Sequence, residues 1–310
     1  MASSSSPKAA KPATVLCAGI AVQDLVFRVP QFPPPGGKAM ADDFVIVSGG
    51  CAVNAAMAVA RLGGRAHFAG PLGDENDTVS NQLMTELARE GVGTAGVVRV
   101  TGARAPMSGI MIDAAGERMI ATYRDRRIEA VRPVDPNALV ANATVVLADN
   151  RFPDFVRPIC EAARRRGIPL VLDADRPTAE SNPLFAISTH IVFSSECLRA
   201  TTGCTDLGEG LQRIAPQTKA FIAVSNGPND VLYIMDGSVR RMPVFAINAV
   251  DTLAAGDVFH AGFALALAEG RDELAAMRFG AAAAGLKCTR FGGSAGAPRR
   301  AEVEALLARA

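Results

Sequence analysis

The hydrophobic pattern of the chain alternates between two kinds of segment from Thr14 onwards. Short β-branched runs are followed by longer Ala- and Leu-rich stretches with helical spacing. This alternation predicts parallel β-strands joined by helices on both faces of a sheet, so the expected fold class is α/β. The predicted strands are Val15–Ile20, His67–Gly70, Thr144–Ala148, Pro169–Asp173, His190–Phe193 and Phe221–Ser225. The predicted helices include Asn54–Leu62, Val79–Glu90, Asp154–Arg166, Leu274–Leu286 and Arg300–Ala308.

Two segments depart from that alternation. Phe27–Val47 and Ser108–Tyr123 have the pattern of extended hairpins, and the second contains a turn at Asp113-Ala-Ala-Gly116. They could be surface hairpins without a role. Their positions on either side of a glycine-rich helix start favour a functional role instead.

The first thirteen residues are rich in Ser, Ala, Lys and Pro and contain too little apolar side chain to fold. We expect 1–13 to form a disordered tail and 14–310 to form one domain. No signal peptide is expected, because Asp24 interrupts the apolar stretch Val15–Phe27. No run of about eighteen apolar residues lacks a charge, so no membrane-spanning segment is expected.

Composition narrows the function classes. In a chain of 310 residues, 49% apolar content is enough for a sizeable core. The 32 basic and 31 acidic residues nearly cancel, which leaves no general argument for a nucleic-acid or membrane partner. Six cysteines without a CxxC pair indicate reduced thiols and favour a reducing, cytoplasmic compartment. The three histidines lack metal-like spacing, and His260 is expected to be an ordinary helix residue that packs beneath the site formed by the helix start.

The segment Val250–Asp257 joins a turn of small residues to an apolar helical stretch. The backbone N–H groups of Ala254, Ala255 and Gly256 can close on a phosphate at the helix N-terminus, where the helix dipole favours negative charge. Asp257 is then placed to take a proton from an attacking hydroxyl. An ordinary glycine-containing loop with an acidic first turn has the same pattern. This segment alone therefore leaves both interpretations open.

A second segment decides between them. Ser48–Gly64 is again a glycine pair that opens a helix of small residues, with Asn54 in its first turn and a glycine pair at its end. Together the two segments resemble the two signatures of the PfkB (ribokinase-like) family of carbohydrate and nucleoside kinases. Their order and their separation of roughly two hundred residues also fit that family.

The resemblance implies a ribokinase-like fold, with a Rossmann-like, mostly parallel sheet covered by helices on both faces. It also implies a small β-sheet lid, built from about 27–47 and 104–126, through which family members often form a homodimer. The implied reaction transfers the γ-phosphoryl group of ATP, with Mg²⁺, to a primary hydroxyl of a small-molecule sugar. One departure is Ala254, which stands where the family usually has glycine. Its methyl group is tolerable only if the backbone φ stays negative.

Residues on the sugar side come from two places in the sequence. Asp24 follows the first predicted strand, and ligands of open α/β sheets bind at the carboxyl ends of the strands. The resemblance implies that Asp24 accepts hydrogen bonds from two sugar hydroxyls, whereas a solvated loop acid is the alternative. Gly49, Gly50 and Asn54 would complete the polar cradle of the sugar.

On the nucleotide side, family members often carry an Asn-x-x-Glu motif, and Ser194-Ser-Glu-Cys197 stands at that place here. Glu196 thus becomes the candidate for an indirect contact with Mg²⁺. The resemblance also implies a monovalent cation, such as K⁺, held by the Asp251 loop and the glycine-rich loop 287–296. The candidates for binding the nucleotide are Ser194, Glu196, Ser225, Gly227, Thr252 and Gly256.

Several local strings are similar to one branch of the family, the sulfofructose kinases, which phosphorylate 6-deoxy-6-sulfofructose. In that branch a Lys, an Asn and an Arg contact the sulfonate, and the matching positions here are Lys38, Thr122 and Arg151. Thr122 keeps a hydroxyl donor but lacks the amide. Solvated surface charges remain the alternative for the two cations. An anionic ketose is therefore favoured over a neutral one such as fructose, and both stay open. The similar strings are Gly37-Lys38, Gly116–Ile120, Val146–Arg151 and Leu286–Gly293.

Two other classes of function fit the pattern less well. A catalytically silent sugar-binding regulator could use the same fold, but the presence of Asp257 favours an enzyme. A dinucleotide-dependent dehydrogenase would need a GxGxxG motif after the first strand, and none is present.

Overall fold

The computed structural model describes residues 13–179 and 182–309. The strands are β1 (Thr14–Ala18), β2 (Val22–Arg28), β3 (Asp43–Gly49), β4 (Arg65–Leu72), β5 (Gly93–Arg99), β6 (Met107–Ile112), β7 (Arg118–Tyr123), β8 (Val145–Asp149), β9 (Leu170–Ala174), β10 (His190–Ser194), β11 (Phe221–Asn226), β12 (Asn229–Met235) and β13 (Ser238–Met242). The helices are α1 (Cys51–Arg61), α2 (Thr78–Arg89), α3 (Arg126–Glu129), α4 (Pro136–Leu139), α5 (Pro153–Arg165), α6 (Pro183–Ile187), α7 (Ser195–Thr202), α8 (Leu207–Ile214), α9 (Ala255–Ala268), α10 (Glu273–Cys288) and α11 (Arg300–Leu307).

Nine strands form the main sheet, in the order β13-β12-β11-β10-β9-β8-β1-β4-β5. The strands from β11 to β5 are parallel, and β12 and β13 extend one edge in antiparallel fashion. In chain order, β4 and β5 are added on one side of β1, and β8 is added later on the other side of β1. This reversal makes the boundary between β1 and β8 a switch point, where the carboxyl ends of the strands leave room for a ligand.

Helices cover both faces of this sheet. Side chains alternate along β1, so that Val15 and Cys17 enter one core while Leu16 and Ala18 enter the other. Helix α9 lies over the centre of the first face, where it contacts β1, β8 and β9 and packs between α1 and α10. A Cβ atom on Gly280 of α10 would lie 2.6 Å from the Phe259 carbonyl oxygen. This glycine therefore lets the two helices approach closely and fixes α9 over the strand ends.

The remaining four strands form a small sheet in the order β3-β2-β6-β7, which we call the lid. Its register aligns Asp24 with Ser108, and Ser108 with Thr122. Residues opposite each other lie on the same face of a sheet, so these three polar side chains form one row. The apolar residues of that inner face pack against Leu253, in the loop before α9. The lid and the start of α9 therefore share one small core, formed by Val26, Ile110, Ile112 and Leu253.

The predicted α/β fold with a small additional sheet is confirmed. Each predicted strand and helix is present, with ends that agree within three residues. The prediction for Asp24 is wrong in one respect, because Asp24 lies inside the lid strand β2 and not in a loop after β1. The predicted tail, 1–13, lies outside the described residues except for Ala13. Within the described ranges, no helix has both the length and the apolar character needed to cross a bilayer.

Candidate active site

Most of the predicted site residues lie near the point where the carboxyl ends of β1, β8 and β9 meet the first turns of α1 and α9. Asn54 in α1 donates a hydrogen bond from Nδ2 to Asp257 Oδ2 in α9, at 2.6 Å. These two residues stand 203 positions apart in the sequence. The two glycine-rich segments therefore meet at one point.

Helix α9 begins with a backbone conformation that the sequence did not lead us to expect. Ala254 precedes the helix with φ 63° and ψ 10°, which is the left-handed region. The expectation of a negative φ at Ala254 was therefore wrong, and the residue keeps the conformation that glycine adopts more easily. The Ala255 amide donates to the Thr252 carbonyl at 3.2 Å. The amides of Gly256 and Asp257 follow in the first turn, where N–H groups have no partner within the helix.

Helix α1 begins in a similarly tight turn. Gly50 has φ 89°, and a Cβ atom on it would lie 2.6 Å from the Ile20 carbonyl oxygen. A Cβ atom on Gly49 would lie 1.9 Å from Asp24 Oδ2. The glycine pair thus brings the backbone before α1 against the segment that follows β1 and against the Asp24 carboxylate of the lid. Asp24, Gly49, Gly50 and Asn54, which were predicted to hold the sugar, therefore lie close together.

Asp24 is buried on the inner face of the lid. Burial raises the pKa of its carboxyl from 3.8 to about 7, a hydrogen bond from Ser108 opposes the rise, and the charge of Asp257 adds to it. Ser108 Oγ and Thr122 Oγ1 lie 3.0 Å apart in the same row. The lid therefore presents a carboxyl group and two hydroxyls to the strand ends.

Two further buried carboxyl groups, at the ends of β8 and β9, were not predicted as site residues. Asp149 accepts hydrogen bonds from the backbone amides of Ile20, at 2.8 Å, and Arg151, at 2.9 Å. Burial raises the pKa of Asp149 to about 7, although these two bonds oppose the rise. Burial also raises the pKa of Asp173 to about 6, against the opposing charge of His260.

His260 packs beneath the site, as expected, but it is also connected to it. Its Nδ1 lies 2.7 Å from the Gly256 carbonyl oxygen, and its Nε2 lies 3.2 Å from that of Val192. Nε2 is also 3.6 Å from Asp173 Oδ1. His260 therefore links the first turn of α9 to β9 and β10.

Three buried side-chain atoms in the described part of the chain have no hydrogen-bond partner, and all three belong to this region. They are Asn54 Oδ1, Arg151 Nε and Asp173 Oδ1. Since buried polar atoms in folded proteins are nearly always paired, such a cluster indicates groups that a ligand completes.

The candidates for the nucleotide lie beside this point, at the ends of β10 and β11. Ser194 and Ser225 are paired in register. Ser194 Oγ accepts from the Cys197 amide at 3.1 Å, and so caps α7, while Ser225 Oγ donates to the Phe193 carbonyl at 3.3 Å. Gly227 takes a positive φ of 56° in the turn that follows. Glu196 in α7 and Thr252 before α9 are exposed.

Thr122 and Arg151 line one cavity of about 310 Å³ below the lid. Two further arginines that were not predicted, Arg124 and Arg126, also line it, with Glu129 as the only carboxylate among the described lining residues. Arg124 Nε lies 3.2 Å from Glu129, and Arg151 forms an ion pair with Asp175. The cavity therefore has an excess of positive charge. Its remaining lining residue is Ile20.

Lys38 lies elsewhere, exposed in the loop between β2 and β3, and it does not line this cavity. The structure thus brings together two of the three residues that were predicted to contact an anionic group.

Asp251, the residue predicted to bind a monovalent cation, is buried, and both of its carboxylate oxygens accept hydrogen bonds. Its Oδ1 accepts from the Leu253 amide at 2.7 Å, and its Oδ2 accepts from the amides of Gly292 and Gly293 at 3.0 and 3.1 Å. The ammonium group of Lys287 lies 3.0 Å from Oδ2 and donates to the Asp251 carbonyl at 2.7 Å.

Comparison with known proteins gives this geometry a family. The profile of the pfkB family of carbohydrate kinases matches residues 12–300. The chain belongs to this family. The kinase is 29% identical to the ribokinase of Bacillus subtilis (strain 168) over 292 residues, which cover 93% of this chain and 97% of that protein.

Solved structures agree with this assignment. A crystal structure from Agrobacterium tumefaciens, provisionally named a ribokinase, is 37% identical to the kinase, with a TM-score of 0.90 over 96% of this chain and 98% of the other. A fructokinase from Xylella fastidiosa, solved with bound ATP, is 26% identical with a TM-score of 0.75, covering 96% and 98% of the two chains. The protein is therefore an ATP-dependent sugar kinase.

Several residues of the candidate site were not predicted from the sequence. Asp149 and Asp173 each end a buried parallel strand, and an acidic residue at that edge of an α/β sheet could have been noticed. Lys287 had no such signal, because a lysine in the last turn of a helix is normally solvated. The two extra arginines of the cavity follow the lid strand β7, in a segment that resembles any surface turn.

The left-handed conformation of Ala254 predicts an unusual response to glycine. Ala254→Gly should raise the free energy of unfolding by up to about 1 kcal/mol, because it removes a left-handed penalty of about 1–2 kcal/mol at a smaller cost in chain entropy. The matched change one residue on, Ala255→Gly, should lower it by up to about 1 kcal/mol, since that residue is helical. Urea unfolding of both variants measures the difference. Equal destabilisation by the two changes would contradict the left-handed assignment.

Proposed function

We propose that the kinase phosphorylates a primary hydroxyl of a ketose that carries an anionic group at its far end, with 6-deoxy-6-sulfofructose as the candidate substrate. The observation that carries this proposal is the set of three buried atoms near Asp257 that have no hydrogen-bond partner. Asn54 Oδ1 can only accept a hydrogen bond, Arg151 Nε can only donate one, and Asp173 Oδ1 attracts a cation. A polyhydroxyl ligand with an anionic end, bound together with a metal–nucleotide, supplies all three complements.

Asp257 is the proposed catalytic base. Asn54 holds its Oδ2 at 2.6 Å, which leaves Oδ1 for the proton of the sugar hydroxyl. Removing that proton as the hydroxyl oxygen attacks the γ-phosphorus is the general-base step of phosphoryl transfer. The amides of Gly256 and Asp257, with the dipole of α9, stabilise the negative charge on the transferred group. Asp24 and the amides of the Gly49-Gly50 pair orient the sugar.

We place ATP along the ends of β10 and β11, beside Ser194, Ser225 and Gly227, with its phosphates directed at Thr252 and the start of α9. The space next to Gly256 is open, because a Cβ atom on this residue would meet no atom within 4 Å. There is therefore room for a phosphate beside the start of α9. The donor set also fits Mg²⁺, since Asp173 Oδ1 is a carboxylate oxygen that accepts no hydrogen bond and Glu196 is an exposed carboxylate. When bound, the ion would neutralise charge on the phosphates.

The cavity with the three arginines is the proposed site of the anionic group. Guanidinium groups match the geometry of tetrahedral oxyanions such as sulfonate and phosphate. Arg151 has a buried, unpaired Nε, and Thr122 offers a hydroxyl beside it. Lys38, in the loop between β2 and β3, stays a proposed further contact, although it does not line the cavity. A neutral ketose would leave the Arg151 donor unpaired.

Asp257→Asn should abolish phosphoryl transfer while leaving the fold and ATP binding intact. The amide keeps the shape of the side chain but cannot accept the proton, and general-base catalysis contributes about 10²–10⁴-fold. Turnover of a ketose panel, with thermal shift by a non-hydrolysable ATP analogue, measures both effects. The control is Asp154→Asn, an exposed acid in the first turn of α5. Near wild-type turnover by a folded Asp257→Asn variant would exclude Asp257 as the catalytic base. If the wild-type protein binds sugar and ATP but shows no turnover, it is a catalytically silent regulator.

Arg126→Ala and Arg151→Ala should each lower kcat/KM for sulfofructose by roughly tenfold to a hundredfold. A lost hydrogen bond to a charged group costs about 1.5–3 kcal/mol. The kcat/KM for fructose should fall far less, because fructose carries no anionic group that would lose its partner. Fructose 6-phosphate tests whether the cavity binds a phosphate as it binds a sulfonate. The control is Arg132→Ala, an exposed arginine outside the cavity. Equal small losses on all three sugars would point to a neutral ketose kinase.

Lys38→Ala belongs in the same series. A fall in kcat/KM that is confined to the anionic sugars would assign Lys38 to the anion-binding site. An unchanged kcat/KM on all three sugars would leave anion binding to the arginines.

We also propose that the kinase forms a homodimer through the outer face of the lid. Four large apolar side chains share that face and are about half exposed, namely Phe44, Ile46, Met119 and Tyr123. Such a patch typically marks an interface.

Ile46→Glu should therefore convert a dimer into a monomer in sedimentation experiments at micromolar concentration, because a charge would be buried in the interface. Leu274→Glu, an exposed apolar residue on α10, is the control and should leave the dimer unchanged. A monomeric wild type, or equal dissociation by both variants, would refute the proposal.

A further inference from the structure

The mechanism above does not use Lys287, although this residue is completely buried beside the active-site loop. Its side chain has no exposed surface, and neither does that of Asp251, with which it is paired. A lysine is almost never fully buried unless it is paired, since the ammonium group loses its hydration. Burial lowers the pKa of Lys287, and the charge and hydrogen bond of Asp251 oppose that shift. Because burying an ammonium group costs free energy, the positive charge of Lys287 at this place needs a functional explanation.

The Lys287 ammonium contacts two oxygen atoms of the kind that a monovalent cation binds. It contacts the carbonyl oxygen of Asp251 at 2.7 Å and the carboxylate Oδ2 at 3.0 Å. The carboxylate also accepts three backbone N–H groups, from Leu253, Gly292 and Gly293. K⁺ does not fit here, because its ligands are already taken and a second positive charge would face the ammonium.

The pair is connected to the start of α9 by a short path. The Cys288 carbonyl accepts from the amides of Val250 and Asp251, at 2.7 and 3.1 Å. Asp251 in turn fixes the Leu253 amide, one residue before the strained Ala254. The α10 terminus and the loop 292–293 thus hold the backbone that supplies the amides of the anion site.

We propose that the ammonium group of Lys287 replaces a bound monovalent cation, so that the kinase carries its own cation and needs no K⁺. Lys287 is then a positioning residue, which acts through Asp251 on the loop 252–257. The catalytic part of this inference rests on the proposed function. The structural part, a cation site filled by a side chain, does not.

The first test uses the wild-type protein. Phosphorylation of a ketose is measured in KCl, NaCl, NH₄Cl and tetramethylammonium chloride at constant ionic strength, with thermal unfolding in the same four salts. We expect activity to agree within about twofold and the unfolding temperatures to coincide, because no site is open to an ion. Activation or stabilisation by K⁺ relative to tetramethylammonium would overturn the proposal.

The second test opens the site. Lys287→Ala should lower kcat by roughly 5- to 150-fold in tetramethylammonium, the usual range of coupling between two sites. K⁺ or NH₄⁺ should restore much of the loss and raise the unfolding temperature by about 2–4 °C, because the ion takes the place of the ammonium group. A purely structural lysine would give no rescue that depends on the ion. Equal behaviour of Lys287→Ala in all four salts would therefore refute the proposal.

Two control variants distinguish the loss of the buried cation from a loss of packing and from a loss of surface charge. Met277→Ala opens a cavity on the same helix without removing a charge, and Lys219→Ala removes an exposed charge. Neither should gain a response to K⁺, and a response in either would overturn the assignment to Lys287.

Folding itself supplies a further readout. If Lys287→Ala does not fold in tetramethylammonium, folding on addition of KCl supports the proposal, and failure to fold in every salt while the wild type responds to K⁺ refutes it. The unfolding temperatures in the four salts test the cation site even if the protein shows no kinase activity. Failure of the proposed function can therefore be distinguished from failure of this inference.

Discussion

The hydrogen bond between Asn54 and Asp257 is the contact on which the site depends, because it joins the first turns of α1 and α9. Both helices lie on the same face of the sheet, and both begin where the central strands end. Helix α9 is held there by its close contact with α10 at Gly280, where a side chain would collide with the backbone of α9. Since the N-terminal amides move with the helix, the position of the proposed phosphate site is set by packing at a distance from it.

The electrostatics of this edge are dominated by acids that the fold keeps buried. Burial raises the pKa of Asp24 and Asp149 to about 7 and that of Asp173 to about 6. The folded state therefore holds these protons more tightly than the unfolded chain does, and charging the groups lowers stability as the pH rises towards 7. His260 and Arg151 offset part of this cost at Asp173. A buried acidic edge of this kind is what a metal–nucleotide and a hydroxyl-rich ligand can neutralise.

Much of the fold could be predicted from the sequence, because β-branched runs and helical spacing report on burial that is local to each element. The two glycine-rich helix starts could also be found, since small residues there serve a backbone purpose that a short motif records. The placement of Asp24 was harder. Only the pairing of β2 with β6 shows that its carboxyl group belongs to the lid and lies in a row with Ser108 and Thr122. Pairing between distant strands leaves no trace in a local pattern.

The backbone of Ala254 and the pairing of Lys287 were beyond sequence reasoning for a related cause. An alanine gives no sign that its φ is positive, because the surrounding packing, and not the residue type, imposes that conformation. Lys287 similarly looks like a favourable last-turn cation of α10. Its burial follows from the loop 292–293, which folds back over Asp251 and excludes water.

The two ends of the proposed sugar site bind negative charge by different means. At one end, the start of α9 offers amide dipoles, which stabilise a charge that moves during the reaction without fixing it in place. At the other end, three arginines offer full charges, of which two are already engaged by Glu129 and Asp175. An anion that enters the cavity must compete with those carboxylates, so its binding gains less than three free arginines would give. The same competition keeps the cavity from binding anions indiscriminately, because only a ligand that also satisfies the Asn54 and Asp24 end gains enough to displace them.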